Sequence, residues 1–412
     1  MRLPRVLAIV QAGGAGGRMD VLTIERAKPA LPFAGSHQLL DFALSNLTNS
    51  GIQDVWLTLQ YQASTLEELA RNGRPWDLDR TYGGLRLLVP QQGSGSTHDD
   101  GMNAGNADEL YALRDDIRRD GADVVLVMSA DHAYRMDYRD VVATHLEHGA
   151  EATVVTYDLA GTFADEPGDH AVVQVDGGGR VTAIDYKPER PASSVIAAEV
   201  TAYDARVLVE VLEELHRELA GSGGPEGHDD DSGLDDFGDH LLPRLVERGS
   251  VHAHRLDGYW RDLGQPHHYL NAHLELIGGD TGLFDRSWPL RSQHPQRQPA
   301  RVADGAVLAD ALLSPGCDVA GTVRRSVLGP GVVVEAGAVV EESVLFADTV
   351  VRAGARVRRT VVDSGCELLD GADVGGSDVD LADPDAIPLV GRDSRVSTRL
   401  PAGARLLPGT TA

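Results

Sequence analysis

The sequence predicts an α/β protein in two parts: a Rossmann-like, mostly parallel sheet over residues 1–285, then a left-handed parallel β-helix over residues 301–380. Three observations carry the prediction. An apolar run, Val6 to Val10, leads into the glycine-rich turn Gln11-Ala12-Gly13-Gly14-Ala15-Gly16-Gly17-Arg18. Segments with strand and helix patterns then alternate up to about residue 285. Beyond residue 300, aliphatic residues recur at an interval of six. Residues 286–300, rich in Gln, Pro, Arg and Ser around Arg291 to Gln298, read as a linker, and 381–412 as a C-terminal tail.

The glycine-rich turn leaves the end of a buried strand with its backbone amides free to meet an anion. Glycines remove the Cβ atoms that would hold phosphate oxygens away, and Arg18 and Lys28 supply positive charge. Taken alone, the turn is equally a plain strand-to-helix connection. It is not the dinucleotide fingerprint, because Met19 stands at the third glycine, nor the P-loop, which needs Lys-Ser or Lys-Thr after its last glycine. Leu40, Leu44 and Leu47 repeat at helical spacing up to a stop at Gly51, and Val55 to Leu59 is the next strand. Gly93 to Gly101 is too polar for either element and reads as a mobile loop. Gly105-Asn106-Ala107-Asp108 opens a helix. Ala122 to Met128 is a central strand with Asp131-His132 just past its C-terminal end, where ligands of open α/β sheets sit. Asp131 by itself is equally a turn residue or a helix cap, and His132 reads as a structural partner rather than a ligand.

Further along, Ala152 to Leu159, Ala171 to Val175 and Val181 to Ile184 are strands. Asp204 caps a helix with Val207, Val211, Leu215 and Leu219 on one face, and Pro266 starts another where its missing amide costs least. Gly221 to Asp236 is acidic and glycine-rich, and is expected to be disordered. In the last part, Val327, Val333, Val339, Leu345, Val351 and Val357 hold the interval of six. Val362, Leu368 and Val374 resume it after a one-residue slip, and Val307, Leu313 and Val319 precede it. Each flat face of a parallel β-helix contributes one inward aliphatic side chain, which gives this step. Such coils also occur in acyltransferases with a histidine base, but no histidine follows His294, so an interaction or regulatory role is expected for them.

A net charge of -26 over 412 residues would repel nucleic acid and anionic membranes, and no stretch approaches the length of a membrane span. A cytoplasmic protein is expected. Cys317 and Cys366 lie far apart without metal-ligand spacing. Of 37 basic residues only Lys28 and Lys187 are lysines, and both precede proline. In a chain so biased toward arginine, that placement singles out two positions where a compact ammonium is needed.

The spacing GG-x-G-x-R, Arg26-Ala27-Lys28-Pro29-Ala30, Asp41-Phe42-Ala43-Leu44-Ser45-Asn46 and Asn49-Ser50-Gly51 resembles the sugar-1-phosphate nucleotidyltransferases, and within them the bacterial glucose-1-phosphate adenylyltransferase branch. The likeness continues through Gln60-Tyr61-Gln62, Ala130-Asp131-His132, Lys187-Pro188, Asp236-Phe237-Gly238, Tyr259-Trp260-Arg261-Asp262 and Ser287-Trp288-Pro289. It implies reaction of ATP with glucose 1-phosphate to ADP-glucose, a glycogen precursor, and pyrophosphate. It also implies Mg2+ held by Asp131 and Asp262, with Arg18 and Lys28 neutralising the departing pyrophosphate. Ala12, Gly13, Gly14, Gly16, Gln60, Gln91, Gly105 and Asn106 would bind the nucleotide. Lys187, Glu199, Asp236, Phe237 and Trp260 would bind the sugar phosphate, and the β-helix would carry a homo-oligomer, a tetramer.

Departures from the pattern concentrate around the ligands. Tyr186-Lys187-Pro188 replaces Glu-Lys-Pro, and Ala197-Ala198-Glu199-Val200-Thr201 replaces Ser-Met-Gly-Ile-Tyr. Met102-Asn103-Ala104 stands for Trp-Tyr-Arg, while Ser36 and Gln38 stand for basic effector contacts. Two alternatives follow: another sugar 1-phosphate such as glucosamine 1-phosphate, favoured by the added Glu199 carboxylate, or a divergent homologue that binds ligands or a partner subunit and turns over weakly.

Overall fold

The computed structural model describes residues 4–89, 103–160, 167–219, 233–279 and 281–412. The loop expected at Gly93 to Gly101, the candidate Gln91 and most of the acidic stretch expected at Gly221 to Asp236 lie outside the described residues.

A nine-stranded sheet forms the first part. Its strands are β1 (Val6–Ala12), β2 (Asp54–Leu59), β3 (Gly84–Leu88), β4 (Val124–Ser129), β6 (Ala152–Asp158), β7 (Ala171–Val175), β8 (Val181–Tyr186), β9 (Val195–Asp204) and β10 (Val251–Arg255), while β5 (His132–Tyr134) and β11 (Trp260–Asp262) form a separate antiparallel pair. The order is β8-β7-β9-β4-β1-β2-β3, with β6 beside β9 and β10 beside β6. β1 runs parallel to β2 and β4, as does β2 to β3, whereas β9 is antiparallel to β4 and β6. The apolar run at the N-terminus is continuous because both faces of β1 are covered: Ala8 and Val10 enter one hydrophobic cluster, Leu7 and Ile9 the other. Each such fully buried side chain is worth roughly 1.5–3 kcal/mol. The expected helices are present as α1 (Leu40–Asn49), α2 (Asn106–Ala112), α3 (Ala205–Leu219) and α4 (Pro266–Gly278). α1 stops at Gly51, φ 74°, and the Asp204 carboxylate accepts from the amides of Arg206 and Val207 at the start of α3.

The second part is a parallel β-helix. Val333 pairs with Val350, and Val350 with Glu367, so one coil takes 17 residues. The inward stacks are Val319, Val334, Val351, Leu368 and Val396; Val323, Val340, Val357 and Val374; and Leu328, Leu345, Val362 and Val390. From Leu328 to Val374 the inward steps therefore run six, six and five; the step before, Val319 to Val323, is only four. This corrects the phase expected at Val327, Val333 and Val339: the inward residues are Leu328, Val334 and Val340, while Val327 packs toward the first part and Val333 and Val339 are only half-buried; from Leu345 onward the expected phase is the observed one. Val307, placed in the same series, is 45% exposed at the open end of the helix. The end of the domain also differs. Leu389–Val390, Arg395–Val396, Arg399–Leu400 and Arg405–Leu406 pair with earlier coils, so residues 381–412 are not a tail but complete the β-helix after an excursion between Gly375 and Leu389. That excursion hides the periodicity, which is why the sequence reads as ending there.

A third cluster joins the two parts. Val327, Val344, Phe346, Val361 and Leu389 from the coils, with Val379 and Ile387 from the excursion, pack on Met19, Leu22, Phe33, Phe42, Tyr269 and Leu270. The segment 291–298 contains no helix or strand, as expected of a linker, yet its start is held: Arg291 O accepts from Trp76 Nε1 at 3.1 Å and Ser45 Oγ at 3.2 Å.

Candidate active site

The C-terminal ends of β1, β2 and β4 open into a cavity of about 410 Å³ that also takes in β8, β9 and the start of α2. Ala12, Gly13, Gly14, Arg18, Lys28, Gln60, Gly105, Asn106, Asp131, Lys187, Glu199, Asp236, Phe237 and Asp262 all line it. Sequence reasoning thus selected residues distant in the chain that the fold brings to one place.

Asp131 follows β4 and Asp262 closes β11, whose pairing with β5 sets Asp262 opposite His132. Between the two carboxylates lies the Lys28 ammonium, 2.5 Å from Asp131 Oδ2 and 3.7 Å from Asp262 Oδ1. Gly264 leaves that room, since a Cβ there would stand 2.9 Å from both Lys28 Nζ and Asp262 Oδ1. Burial alone would lower the Lys28 pKa, but Asp131 and Asp262 outweigh it and hold it raised. Burial likewise works to raise both carboxylates, and Lys28 overcomes it, so both are held below the usual range. Ser129 Oγ also donates to Asp131. His132 Nε2 faces three carboxylates, 3.6 Å from Asp131, 3.6 Å from Asp262 and 3.9 Å from Glu199.

Glu199 enters the cavity from β9 with φ 53°, a left-handed conformation that costs a side chain and none to a glycine. Burial raises its pKa. Lys187 is also left-handed, φ 45°, with its exposed ammonium 4.6 Å above the Tyr186 ring. Tyr186 donates to Asp236 Oδ2 at 2.6 Å. Asp236 and Phe237 are tied to Asn106: the Asn106 amide donates to Asp236 Oδ1 at 3.2 Å, and the Phe237 amide to Asn106 Oδ1 at 2.6 Å. Gly105 is required there because a Cβ would fall 2.2 Å from the Asp235 carbonyl oxygen. Gln60 Nε2 donates to Asn103 O at 2.9 Å.

Two expected residues do not line the cavity. Trp260 is fully buried behind His132, with ring centroids 5.1 Å apart, and packs on Tyr157 and His170, so it supports the wall. Gly16, φ 67°, lies behind Lys28, and a Cβ on it would sit 3.1 Å from Lys28 Cβ. Conversely, Gln11 and Glu109 line the cavity and escaped the sequence reading, although an acid in the first turn of α2, four residues after Gly105, marked the position.

The donor set suits a hard divalent cation. Asp131 and Asp262 offer carboxylate oxygens that converge on one cation already, the Lys28 ammonium, and Asp131, His132 and Glu199 have potential ligand atoms within 4.8 Å of one another. Among the described residues no helix is long and apolar enough to cross a membrane.

Comparison with known proteins agrees with this geometry. The nucleotidyl transferase family matches residues 7–278, and a GlmU-like C-terminal hexapeptide family matches residues 298–383, in accord with a left-handed β-helix. The chain is 34% identical over 339 residues to a glucose-1-phosphate adenylyltransferase of Thermotoga maritima, covering 81% of this chain and 76% of the relative. It is 35% identical over 317 residues to one of Thermomicrobium roseum, covering 76% and 70%, and 30% identical over 345 residues to one of Clostridium acetobutylicum, covering 82% and 86%. With the fold, the cavity and these relatives in accord, the chain belongs to the nucleotidyl transferase family.

Proposed function

We propose that this protein transfers the adenylyl group of ATP to glucose 1-phosphate, giving ADP-glucose and pyrophosphate. The observation that carries the reading is the convergence of Asp131 and Asp262 on a cation in the cavity that the glycine-rich turn also lines. The sugar phosphate oxygen attacks the α-phosphorus in line, the bond to the bridging oxygen breaks, and pyrophosphate leaves; no protein nucleophile is needed. Mg2+, bound by Asp131 and Asp262, would neutralise charge on the reacting phosphates. The backbone of Gly13 and Gly14 and the guanidinium of Arg18 hold the triphosphate. Lys28, held between Asp131 and Asp262, would meet the leaving pyrophosphate. Lys187 grips the sugar phosphate from the opposite rim. The β-helix carries assembly into a homo-oligomer, a tetramer, and the protein works in the cytoplasm.

The test is pyrophosphate release from ATP and glucose 1-phosphate with Mg2+, beside a melting curve. Asp131→Asn and Asp262→Asn should each lower turnover by 10²-fold or more, on the order of the loss of one preorganised charged contact, with the fold kept. Near-full activity in either variant would remove that residue from the metal site.

A second reading of the substrate has its own observation. Glu199 does enter the cavity, in a backbone conformation that suits glycine, so a carboxylate stands where glucose would meet none. A charge-assisted hydrogen bond to an ammonium is about twice as strong as a neutral one, which favours glucosamine 1-phosphate. Glu199→Gly should shift kcat/KM toward glucose 1-phosphate; an unchanged ratio of the two sugars would rule this reading out.

A further inference from the structure

Where the cavity meets Gly13 and the start of α2, the wall carries side chains that phosphate chemistry leaves unused. Gln11, at the end of β1, donates through Nε2 to Asn106 O and to Glu109 Oε2, each at 2.8 Å. Both of its N–H groups are thereby spent, and no hydrogen bond among the described residues uses its carbonyl oxygen. Glu109 lies on α2, only 6% exposed. Its Oε1 and that of Gln60 are each 3.4 Å from the point where a Cβ on Gly13 would stand, so the missing side chain opens the space these oxygens face. Gln11, Gly13, Gln60, Asn103, Ala104 and Glu109 all line the cavity. A triphosphate running from Gly13 toward Lys28 leaves the space in front of Gly13, which the oxygens of Glu109 and Gln60 face, for the base.

We infer that Glu109, with Gln11, reads the edge of the nucleotide base and sets the choice of purine. As a carboxylic acid Glu109 offers one donor and one acceptor, the complement of adenine N1 and its 6-amino group. As a carboxylate it offers two acceptors, the complement of guanine N1–H and its 2-amino group. A buried polar group that the wrong base leaves unpaired is penalised far more than a missing methylene, so one such residue discriminates strongly.

The surroundings favour the acid form. Burial pushes the carboxyl up to about 7, against hydrogen bonds from Gln11 and Thr58 that work to lower it. Asp108, beside it on α2, is the one charged group among the described residues that bears on it, and it pushes the same way; β1 and β2 present the neutral Gln11 and Thr58. A bound triphosphate adds negative charge and holds the proton more firmly.

The inference rests on nucleotidyl transfer as the reaction, and its test is kept separate from turnover. Binding of ATP and of GTP, each with Mg2+ and without sugar phosphate, is measured by calorimetry at pH 6 and pH 8.5 on the full chain, on Glu109→Gln and on Glu109→Ala. The full chain should prefer ATP at pH 6 and lose about tenfold of that preference by pH 8.5, the value of roughly one hydrogen bond. Glu109→Gln keeps one donor and one acceptor at every pH, so its preference should not change with pH; Glu109→Ala should lose about tenfold already at pH 6. A preference equal at both pH values and unchanged in both variants overturns the inference. Binding with the expected preference but no pyrophosphate release would count against the reaction and uphold the role of Glu109. Failure to bind either nucleotide would overturn both.

Discussion

Asp41 is fully buried at the start of α1 and has no ionised partner among the described residues. Its Oδ2 accepts from the Gln38 amide at 2.8 Å, while Oδ1 has no partner among the described residues. His37 stands 3.9 Å away, yet burial lowers that imidazole to about 4, so it is neutral at pH 7 and the contact is not an ion pair. Burial therefore pushes Asp41 up to about 7 from an ordinary value near 3.8. Between these values the folded chain binds a proton that the unfolded chain has released, so stability is highest below the unfolded value and falls as pH rises toward 7. The loss attributable to this group is on the order of a few kcal/mol. Denaturant unfolding at pH 4.5 and pH 7.5 should show Asp41→Asn losing less stability across that interval than the parent chain; equal losses would mean the carboxylate finds a partner. The aspartate was legible in the sequence as part of a motif, but its charge state was not. Protonation depends on what surrounds a group in space, and Trp76 and Ser292 reach Asp41 from segments far from it in the sequence. The same limit applies at Glu199. Its replacement of glycine was visible, whereas the left-handed backbone that explains the glycine was not. Trp260 erred the other way: it shares the face of β11 that carries Asp262, two residues on, but it is buried behind His132 instead of lining the cavity.

At the scale of elements, strands and helices of the first part were legible because β1 and β4 are covered on both faces, so their apolar runs are unbroken. The caps at Gly51, Asp204 and Pro266 mark ends by local chemistry alone. The β-helix was legible as a period but not as a phase. A valine pair such as Val333-Val334 offers two candidates for one inward position, and only the six, six, five stepping of a closed 17-residue coil decides between them. Val334→Ala, which empties a fully buried position, should destabilise the chain by roughly 2–3 kcal/mol, while Val333→Ala, half-buried on the outer face, should cost under about 1 kcal/mol. Thermal melts of the two variants make the comparison, and a larger loss at Val333 would mean the stack is assigned one residue out of phase.

For the molecule as a whole, the β-helix does more than extend the chain: it holds the two loops that carry Arg18 and Lys28. Arg405 pairs with Asp20 at 3.0 Å, in the turn that follows Arg18, and donates to the carbonyls of Ile387 and Pro384 in the excursion. Arg26, two residues before Lys28, pairs with Asp363 of the coils at 2.9 Å, with both side chains almost fully buried and the guanidinium 5.5 Å from the Phe346 ring centroid. Asp363 Oδ1 also accepts from the Ser364 amide, which fixes the carboxylate that Arg26 must meet. A buried pair of this kind adds little net stability over an apolar pair of the same volume, but removing one partner strands the other charge at a cost of about 3–5 kcal/mol. Asp363→Asn should therefore free the segment from Arg26 to Ala30. We expect faster hydrogen exchange in that segment and a kcat reduced by about tenfold, as misplacement of one positioned cation implies. Replacing both partners with leucine should restore the melting temperature, because no charge is left buried, without restoring kcat. If Asp363→Asn leaves exchange in the segment and kcat unchanged, Lys28 is positioned by the first part of the chain alone, and the coils are only a platform for assembly.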